Sequence, residues 1–256
     1  MSLFKKFTAM AMVATMAFGV AACGGSDSAA DEGKTYVIAT DTTFAPFEFQ
    51  NEAGEYVGID VDLLAAIAED QGFKYELQAL GFNAAVQALE SGQADAVIAG
   101  MSITDERQQK FDFSEPYFDS GVVMGIAADN DEIKSYEDLA GKKVAVKIGT
   151  EGQAFAESIK GTYGFETVTF DDSSAMYMDV TVGNSAACFE DYPVLGYGIS
   201  QGVGLKMVTD KEQGSSYGFA VGKELNSELL EMFNTGLANL KESGKYQEIL
   251  DTYIQE

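Results

Sequence analysis

The chain has no histidine and no tryptophan, a single arginine, three prolines and two cysteines among 256 residues. Without histidine there is no Ser-His or Cys-His nucleophile pair, no imidazole acid-base chemistry near neutral pH, and none of the commonest zinc ligand. Ordinary hydrolase chemistry therefore lacks its usual parts, and no cluster with metal-ligand spacing stands in for them, so neither a metal nor an organic cofactor is expected. Basic residues are also scarce, 16 against 41 acidic, giving a formal net charge of -25. Such a surface repels nucleic acid and anionic lipid, and nucleic-acid binding is set aside.

The two cysteines lie far apart, at Cys23 and Cys188. Cys23 follows Lys5, Lys6 and an apolar run over residues 7–22, shorter than the roughly 20 residues that span a bilayer as a helix. Small residues precede the cysteine, and the whole of 1–22 reads as a secretion signal. Val20-Ala21-Ala22-Cys23 resembles the lipobox of bacterial lipoproteins, which implies a diacylated Cys23 as the new N-terminus. Residues 23–33 are rich in Gly, Ser, Ala and Asp, with nothing to bury, and read as a flexible tether. The expected location is thus extracytoplasmic, held to the outer face of the cell membrane by lipid alone. Once Cys23 is modified Cys188 has no partner, and its setting in Ser185-Ala186-Ala187-Cys188-Phe189 reads as a buried, inert thiol.

From Lys34 onward, β-rich runs alternate with amphipathic helical runs, the pattern of an α/β protein with largely parallel sheets. Strands are expected at 36–40, 73–79 and 94–100, helices at 60–71 and 84–91, and a further helix capped by Thr104. The pattern restarts after Tyr117, with a helix at 135–140, a strand at 143–148, a helix from the Thr150 cap to Lys160, and strands near Val168 and Ala187. A strand at 217–221 and an amphipathic helix at 226–243 follow. In open α/β sheets ligands sit where strand ends meet helix starts, here at Gly100 to Arg107.

Arg107, alone among fifteen lysines, stands in Thr104-Asp105-Glu106-Arg107 directly after a strand exit. A guanidinium grips a carboxylate with two parallel charge-assisted bonds, which lysine cannot imitate, so Arg107 is the candidate carboxylate clamp. The turns Gly100-Met101-Ser102 and Gly149-Thr150-Glu151 can aim N–H groups and a hydroxyl at an anion, or simply cap helices. Phe44 and Phe82 fall after strands, where aromatics line either a pocket or the core. Glu190-Asp191 follows a strand and precedes Pro193, which leaves an acid-base pair, a helix cap or an ammonium acceptor open. Lys147 ends the run Lys143-Val144-Ala145-Val146-Lys147, as a solvated strand end or a ligand contact.

Together these residues resemble the amino-acid-binding proteins of ABC importers, solute-binding protein family 3, closest to the glutamine-binding type, over essentially all of 34–256. The resemblance rests on Ala39-Thr40-Asp41-Thr42-Thr43-Phe44-Ala45-Pro46-Phe47-Glu48-Phe49, Gly58-Ile59-Asp60-Val61-Asp62-Leu63, and Ala99-Gly100-Met101-Ser102-Ile103-Thr104-Asp105-Glu106-Arg107. It extends through Phe111-Asp112-Phe113-Ser114-Glu115-Pro116-Tyr117, Val144-Ala145-Val146-Lys147-Ile148-Gly149-Thr150 and Glu190-Asp191-Tyr192-Pro193.

The resemblance implies a periplasmic-binding-protein type II-like fold of two lobes, 34–117 plus 219–256 and 122–213, each a mainly parallel sheet flanked by helices. Two crossings, near 118–122 and 213–218, would act as the hinge. Arg107 would hold the ligand's α-carboxylate, with the Ser102 hydroxyl and N–H groups of Thr150 and Glu151. Asp191 and the Gly100 carbonyl, beside Ala99, would take the α-ammonium, while Phe44 and Phe82 hold the aliphatic part. Asp41, Lys147 and Glu190 would face the side-chain end, where two carboxylates and one ammonium reject acidic ligands and suit an amide.

Glutamine is therefore the expected ligand, with asparagine, histidine and basic amino acids as alternatives. The sequence departs from the glutamine-binding pattern at Ser102, at Glu190 and at Asn184-Ser185-Ala186. A monomer that hands its ligand to a membrane permease is expected, rather than an enzyme. The alternative is a cyclohexadienyl dehydratase-like enzyme on the same fold, with Glu190 as general acid.

Overall fold

The computed structural model describes residues 33–254. The expected signal, the lipidation site Cys23 and the tether up to residue 32 lie outside the described residues. No helix among the described residues is long and apolar enough to cross a membrane.

The first part of the chain runs β1 (Thr35–Thr40), a small ribbon of β2 (Thr43–Phe44), β3 (Glu48–Gln50) and β4 (Tyr56–Val57), then α1 (Ile59–Gln71), β5 (Lys74–Ala79), α2 (Phe82–Glu90), β6 (Ala96–Val97), α3 (Asp105–Gln108) and β7 (Phe111–Phe113). It then enters β8 (Phe118–Ala127), a 3-10 turn at Tyr136–Leu139, β9 (Lys143–Lys147), α4 (Glu151–Tyr163), β10 (Glu166–Phe170), α5 (Ser173–Thr181), β11 (Ala187–Asp191), α6 (Tyr192–Ser200) and β12 (Leu205–Met207). Finally β13 (Glu212–Tyr217) leads back to β14 (Ala220–Gly222), α7 (Ser227–Ser243) and α8 (Lys245–Tyr253).

Two lobes, each built on a sheet, result. The first sheet has the order β5-β1-β6-β14-β7, and the second places β10-β9-β11-β8-β12 side by side with β13 also on β8. β1 pairs in parallel with β5 and β6, whereas β14 runs antiparallel to β6 and β7. In the second sheet only β10, β9 and β11 are parallel neighbours; β11, β12 and β13 all meet β8 antiparallel. The expectation of mainly parallel sheets is corrected accordingly. Both returning strands pair with elements of opposite direction, because the chain doubles back between lobes rather than crossing over a helix. Those two passages are themselves a ribbon, with Tyr217 opposite Phe118 and Ser216 opposite Asp119.

Each sheet is covered on both faces. In the first lobe Ile38, Leu63, Leu64, Ile67, Phe233 and Leu237 fill one face, and Ala39, Phe82, Leu89, Val97 and Ala220 the other. α1 supplies Ile59, Leu63, Leu64 and Ile67 at helical spacing and stops where Gly72 turns left-handed. α7 lies on it closely enough that a Cβ on Gly236 would stand 2.8 Å from Ile67 Cγ2. Phe219 stacks on Phe233 with ring centroids 4.3 Å apart. Val194 of α6 joins this first-lobe core although its helix follows β11 of the second sheet, so apolar contact already bridges the lobes.

Several local expectations shift. The strand expected at 94–100 is confined to Ala96–Val97, since Asp95 turns its carboxylate back onto the Val37 N–H at 2.9 Å. The strand expected at 217–221 is broken at Gly218, which packs against Ile103 and Phe113 where the chain leaves the ribbon for the first sheet. The helix expected at 135–140 is only a single 3-10 turn, held by a Ser135–Asp138 capping box. Phe82 lies not in a loop but at the first position of α2, and the helix expected from Ala84 begins there.

Candidate functional site

Strand ends and helix starts of both sheets converge on one buried polar cluster. Asp41 directly follows β1, and its carboxylate Oδ1 accepts from the N–H groups of Thr42 and Phe82 at 2.6 and 3.0 Å. Lys147 ends β9 and donates from Nζ to the other Asp41 oxygen, with both side chains almost wholly withdrawn from solvent. Such a pair is exposed to desolvation on both sides and needs its remaining bonds filled. Lys147 Nζ also reaches Ser173 Oγ at 3.4 Å and lies 4.9 Å from the centre of the Phe44 ring.

Glu190 and Asp191 end β11. Glu190 Oε2 accepts from Ser173 Oγ at 2.9 Å and from the Tyr177 hydroxyl at 3.1 Å, and Oε1 from the Asp191 N–H at 3.0 Å. Burial raises the Glu190 carboxyl above its ordinary range, against the pull of Lys147. Burial and then the neighbouring Glu190 raise Asp191 as well. Asp191 occupies the N-cap position of α6 but makes no side-chain cap bond. Its Oδ2 instead accepts from the Tyr217 hydroxyl at 2.7 Å, and Ser120 donates to that same hydroxyl oxygen at 3.1 Å. Both Ser120 and Tyr217 belong to the ribbon linking the lobes.

Arg107 lies in α3, a single turn capped by the Thr104 hydroxyl. Its guanidinium donates to the Ser102 carbonyl at 2.8 Å and, across the lobes, to the Gly149 carbonyl at 3.1 Å, and sits 5.3 Å from the Phe82 ring centre. Burial lowers its pKa, opposed by Glu151, Asp191 and Glu106. Two of the guanidinium's five N–H donors are thus spent on carbonyls, leaving the others for an anion. Thr150 caps α4 by accepting from the Gln153 N–H and donates its hydroxyl to the Lys147 carbonyl at 2.7 Å. One carboxylate oxygen of Glu151 is buried without a partner among the described residues.

The floor beneath Phe44 depends on glycine. Gly100 has φ +52, and a Cβ there would stand 2.3 Å from the Phe44 ring. Its N–H donates to Asp60 Oδ2 at 2.7 Å, and the Tyr117 hydroxyl donates to the same oxygen at 2.8 Å. Glu48, fully buried, lies against Asp60, and burial followed by Asp60 and Asp41 push its carboxyl well above the usual range. Burial likewise pushes Asp60 up to about 6.

Of the sequence-derived candidates, Lys147, Glu190 and Asp191 end strands, Phe82, Thr150 and Glu151 stand at helix starts, and Asp41, Ala99, Gly100 and Ser102 follow β1 or β6, with Phe44 in β2 and Arg107 within α3. Sequence reasoning missed Ser173 and Tyr177 on α5, Tyr217 and Ser120 on the ribbon, and Asn83, whose side chain abuts Gly149. A signal for α5 was present: Phe170-Asp171-Asp172-Ser173 is a strand exit followed by a capping aspartate, and Asp172 does accept from the Ala175 N–H. Among the described residues no group of three or more Cys, Asp or Glu is arranged to hold a metal ion.

Two lobes bridged by a strand ribbon, with charged groups from both sheets meeting in the cleft, define the class of two-lobed solute-binding proteins. The family model for bacterial extracellular solute-binding proteins, family 3, matches residues 36–256, and the chain belongs to that family. It is 30% identical over 247 residues to the arginine-binding extracellular protein ArtP of Bacillus subtilis (strain 168), covering 96% of each chain. Among solved structures it is 49% identical to the second substrate-binding domain of a putative amino acid ABC transporter from Streptococcus pneumoniae Canada MDR_19A, with 86% of this chain and 99% of that one covered and a TM-score of 0.59. An ancestral arginine-binding protein bound to glutamine is 39% identical, with 87% and 98% covered and a TM-score of 0.80.

Proposed function

We propose that the chain captures glutamine between its lobes and presents it to the membrane permease of an ABC importer. The observation that carries this reading is the set of bonding positions left over around Lys147. An ammonium has three donors, and Lys147 uses two, on Asp41 and Ser173. Each carboxylate has about four acceptor positions. Glu190 fills three of its own and Asp41 three, leaving one on Glu190 Oε1 and one on Asp41 Oδ2 among the described residues. One free donor and two free acceptors match a side-chain amide, whose carbonyl takes up the donor and whose NH2 group fills the two acceptors. An acidic side chain leaves both carboxylates unpaired and is rejected.

In this reading Arg107 holds the α-carboxylate with the Ser102 hydroxyl and N–H groups of Thr150 and Glu151, and Asp191 with the Gly100 carbonyl beside Ala99 takes the α-ammonium. Phe44 and Phe82 flank the aliphatic part. Residues 34–117 with 219–256 form one lobe and 122–213 the other, and the crossings near 118–122 and 213–218, paired where β8 begins and β13 ends, are the hinge. A lipid on Cys23 keeps the monomeric domain at the outer face of the membrane, and the ligand leaves unchanged.

The arginine-binding name of the relative in Bacillus subtilis favours a second reading, a basic ligand. A guanidinium brings five donors and no acceptor, however, and would leave the third Lys147 donor facing a like charge. Calorimetric titration of the domain from residue 34, stripped of co-purified ligand, against each common amino acid decides between them. A tight response to glutamine alone supports the proposal, and a tight response to arginine with none to glutamine replaces it.

A further inference from the structure

We infer that Ser173 and Tyr177, in the first half of α5, are positioning residues that set which ligand side chain the site accepts; the inference rests on the reading of the tip around Lys147 and Glu190 given above. Neither residue carries charge, and both are buried, Ser173 at 2% and Tyr177 at 9% exposure. Their oxygens take up the two positions of Glu190 Oε2, at 2.9 and 3.1 Å. What remains for a ligand is Oε1, whose other position is taken by the Asp191 N–H.

Ser173 does a second thing. Its hydroxyl oxygen accepts from Lys147 at 3.4 Å while its proton goes to Glu190, so it stands between an ammonium and a carboxylate that would otherwise close on each other in a site without solvent. A direct Lys147–Glu190 pair would satisfy both groups and withdraw them from the ligand. The serine therefore keeps one donor and one acceptor apart and available. Tyr177 lines a 340 Å³ cavity with Thr42, Thr43, Ser173 and Tyr197 while its hydroxyl bonds Glu190. Removing its hydroxyl leaves a buried carboxylate with a vacant acceptor position, which a ligand with extra donors can fill.

The experiment measures dissociation constants for glutamine and arginine, by calorimetry or competition, in the wild type and in Tyr177→Phe, Ser173→Ala and Ser173→Thr, with the melting temperature of each. Tyr177→Phe is expected to move the glutamine-to-arginine affinity ratio about tenfold towards arginine. Ser173→Ala is expected to weaken glutamine by roughly tenfold, and Ser173→Thr, which keeps the hydroxyl, to restore it. Equal weakening of both amino acids by Tyr177→Phe, whatever the melting temperature does, means that the hydroxyl only supports the fold and overturns the inference. So does an Ser173→Ala variant that binds glutamine as the wild type does. The wild-type ranking tests the glutamine reading separately: the ratio can shift on substitution even in a protein that prefers arginine.

Discussion

Lys147, at the end of β9 in one lobe, is ion-paired with Asp41, just past β1 in the other, and both side chains are buried. The pair bridges the two sheets, so in the hinge opening proposed above Lys147 and Asp41 would part, and the bond would belong to the closed state. Lys147→Met should leave the melting temperature of the unliganded protein nearly unchanged but weaken glutamine roughly a hundredfold and change the amino-acid ranking. Calorimetry across the amino acids checks this, and an unaltered ranking would remove Lys147 from the side-chain end.

Arg107 bonds Ser102 and Gly149 carbonyls on opposite lobes, and it is the one arginine in the chain. Arg107→Ala is expected to cost about 2–4 kcal/mol of binding free energy for every amino acid alike. Arg107→Lys should recover little of it, because an ammonium cannot present a bidentate fork. Near-native affinity in either variant would falsify the clamp.

Glu48 and Asp60 give a pH dependence whose sign is fixed. Burial raises both carboxyls in the folded chain, Asp60 to about 6 and Glu48 well above its usual range. The folded state therefore keeps protons that the unfolded chain releases near pH 4. The stability this provides is complete below about pH 4 and is lost as the pH rises through the folded values, about 6 for Asp60 and well above the ordinary carboxyl range for Glu48. Surface carboxylates such as Asp112, lowered first by its bond from Lys223, work the other way. The comparison that isolates the buried pair is Glu48→Gln, which should melt higher than the wild type at pH 8 and lose that advantage at pH 4.5. Parallel melting curves over this range would contradict it.

Gly236 lies where α7 crosses α1. Gly236→Ala should destabilise the fold by about 1–3 kcal/mol, since its Cβ meets Ile67 Cγ2 at 2.8 Å, without altering the amino-acid ranking. Urea unfolding with a parallel titration separates the two effects.

Transport without chemistry predicts that glutamine incubated with stoichiometric protein is recovered intact. Any converted product, lost again in Glu190→Gln, would favour the dehydratase-like alternative.

Much of the fold is legible in the sequence because its signals are local. α1 has an apolar face and a left-handed Gly72 at its end, and α4 starts at the Thr150 cap, though it runs to Tyr163 rather than the expected Lys160. The exits at Asp41, Gly100, Lys147 and Asp191 are marked by the change from alternating to helical periodicity. The breaks at Asp95 and Gly218 were not visible, since each arises from packing against residues far along the chain, Val37 in one case and Ile103 and Phe113 in the other.

By itself the sequence determined that histidine-based chemistry is absent, that one guanidinium is set at a strand exit, and that strands and helices alternate in two successive runs. These follow from residue type and spacing, which no folding is needed to read. Only the tertiary structure decided that Ser173 and Tyr177 share Glu190, that Tyr217 of the ribbon bonds Asp191, and that Asp41 meets Lys147. Each of these contacts joins residues at least 13 apart, and most join different elements or lobes. Hydrogen bonds and ion pairs act over a few ångströms, so they are set by where the sheets bring strand ends together and leave no mark in the local pattern.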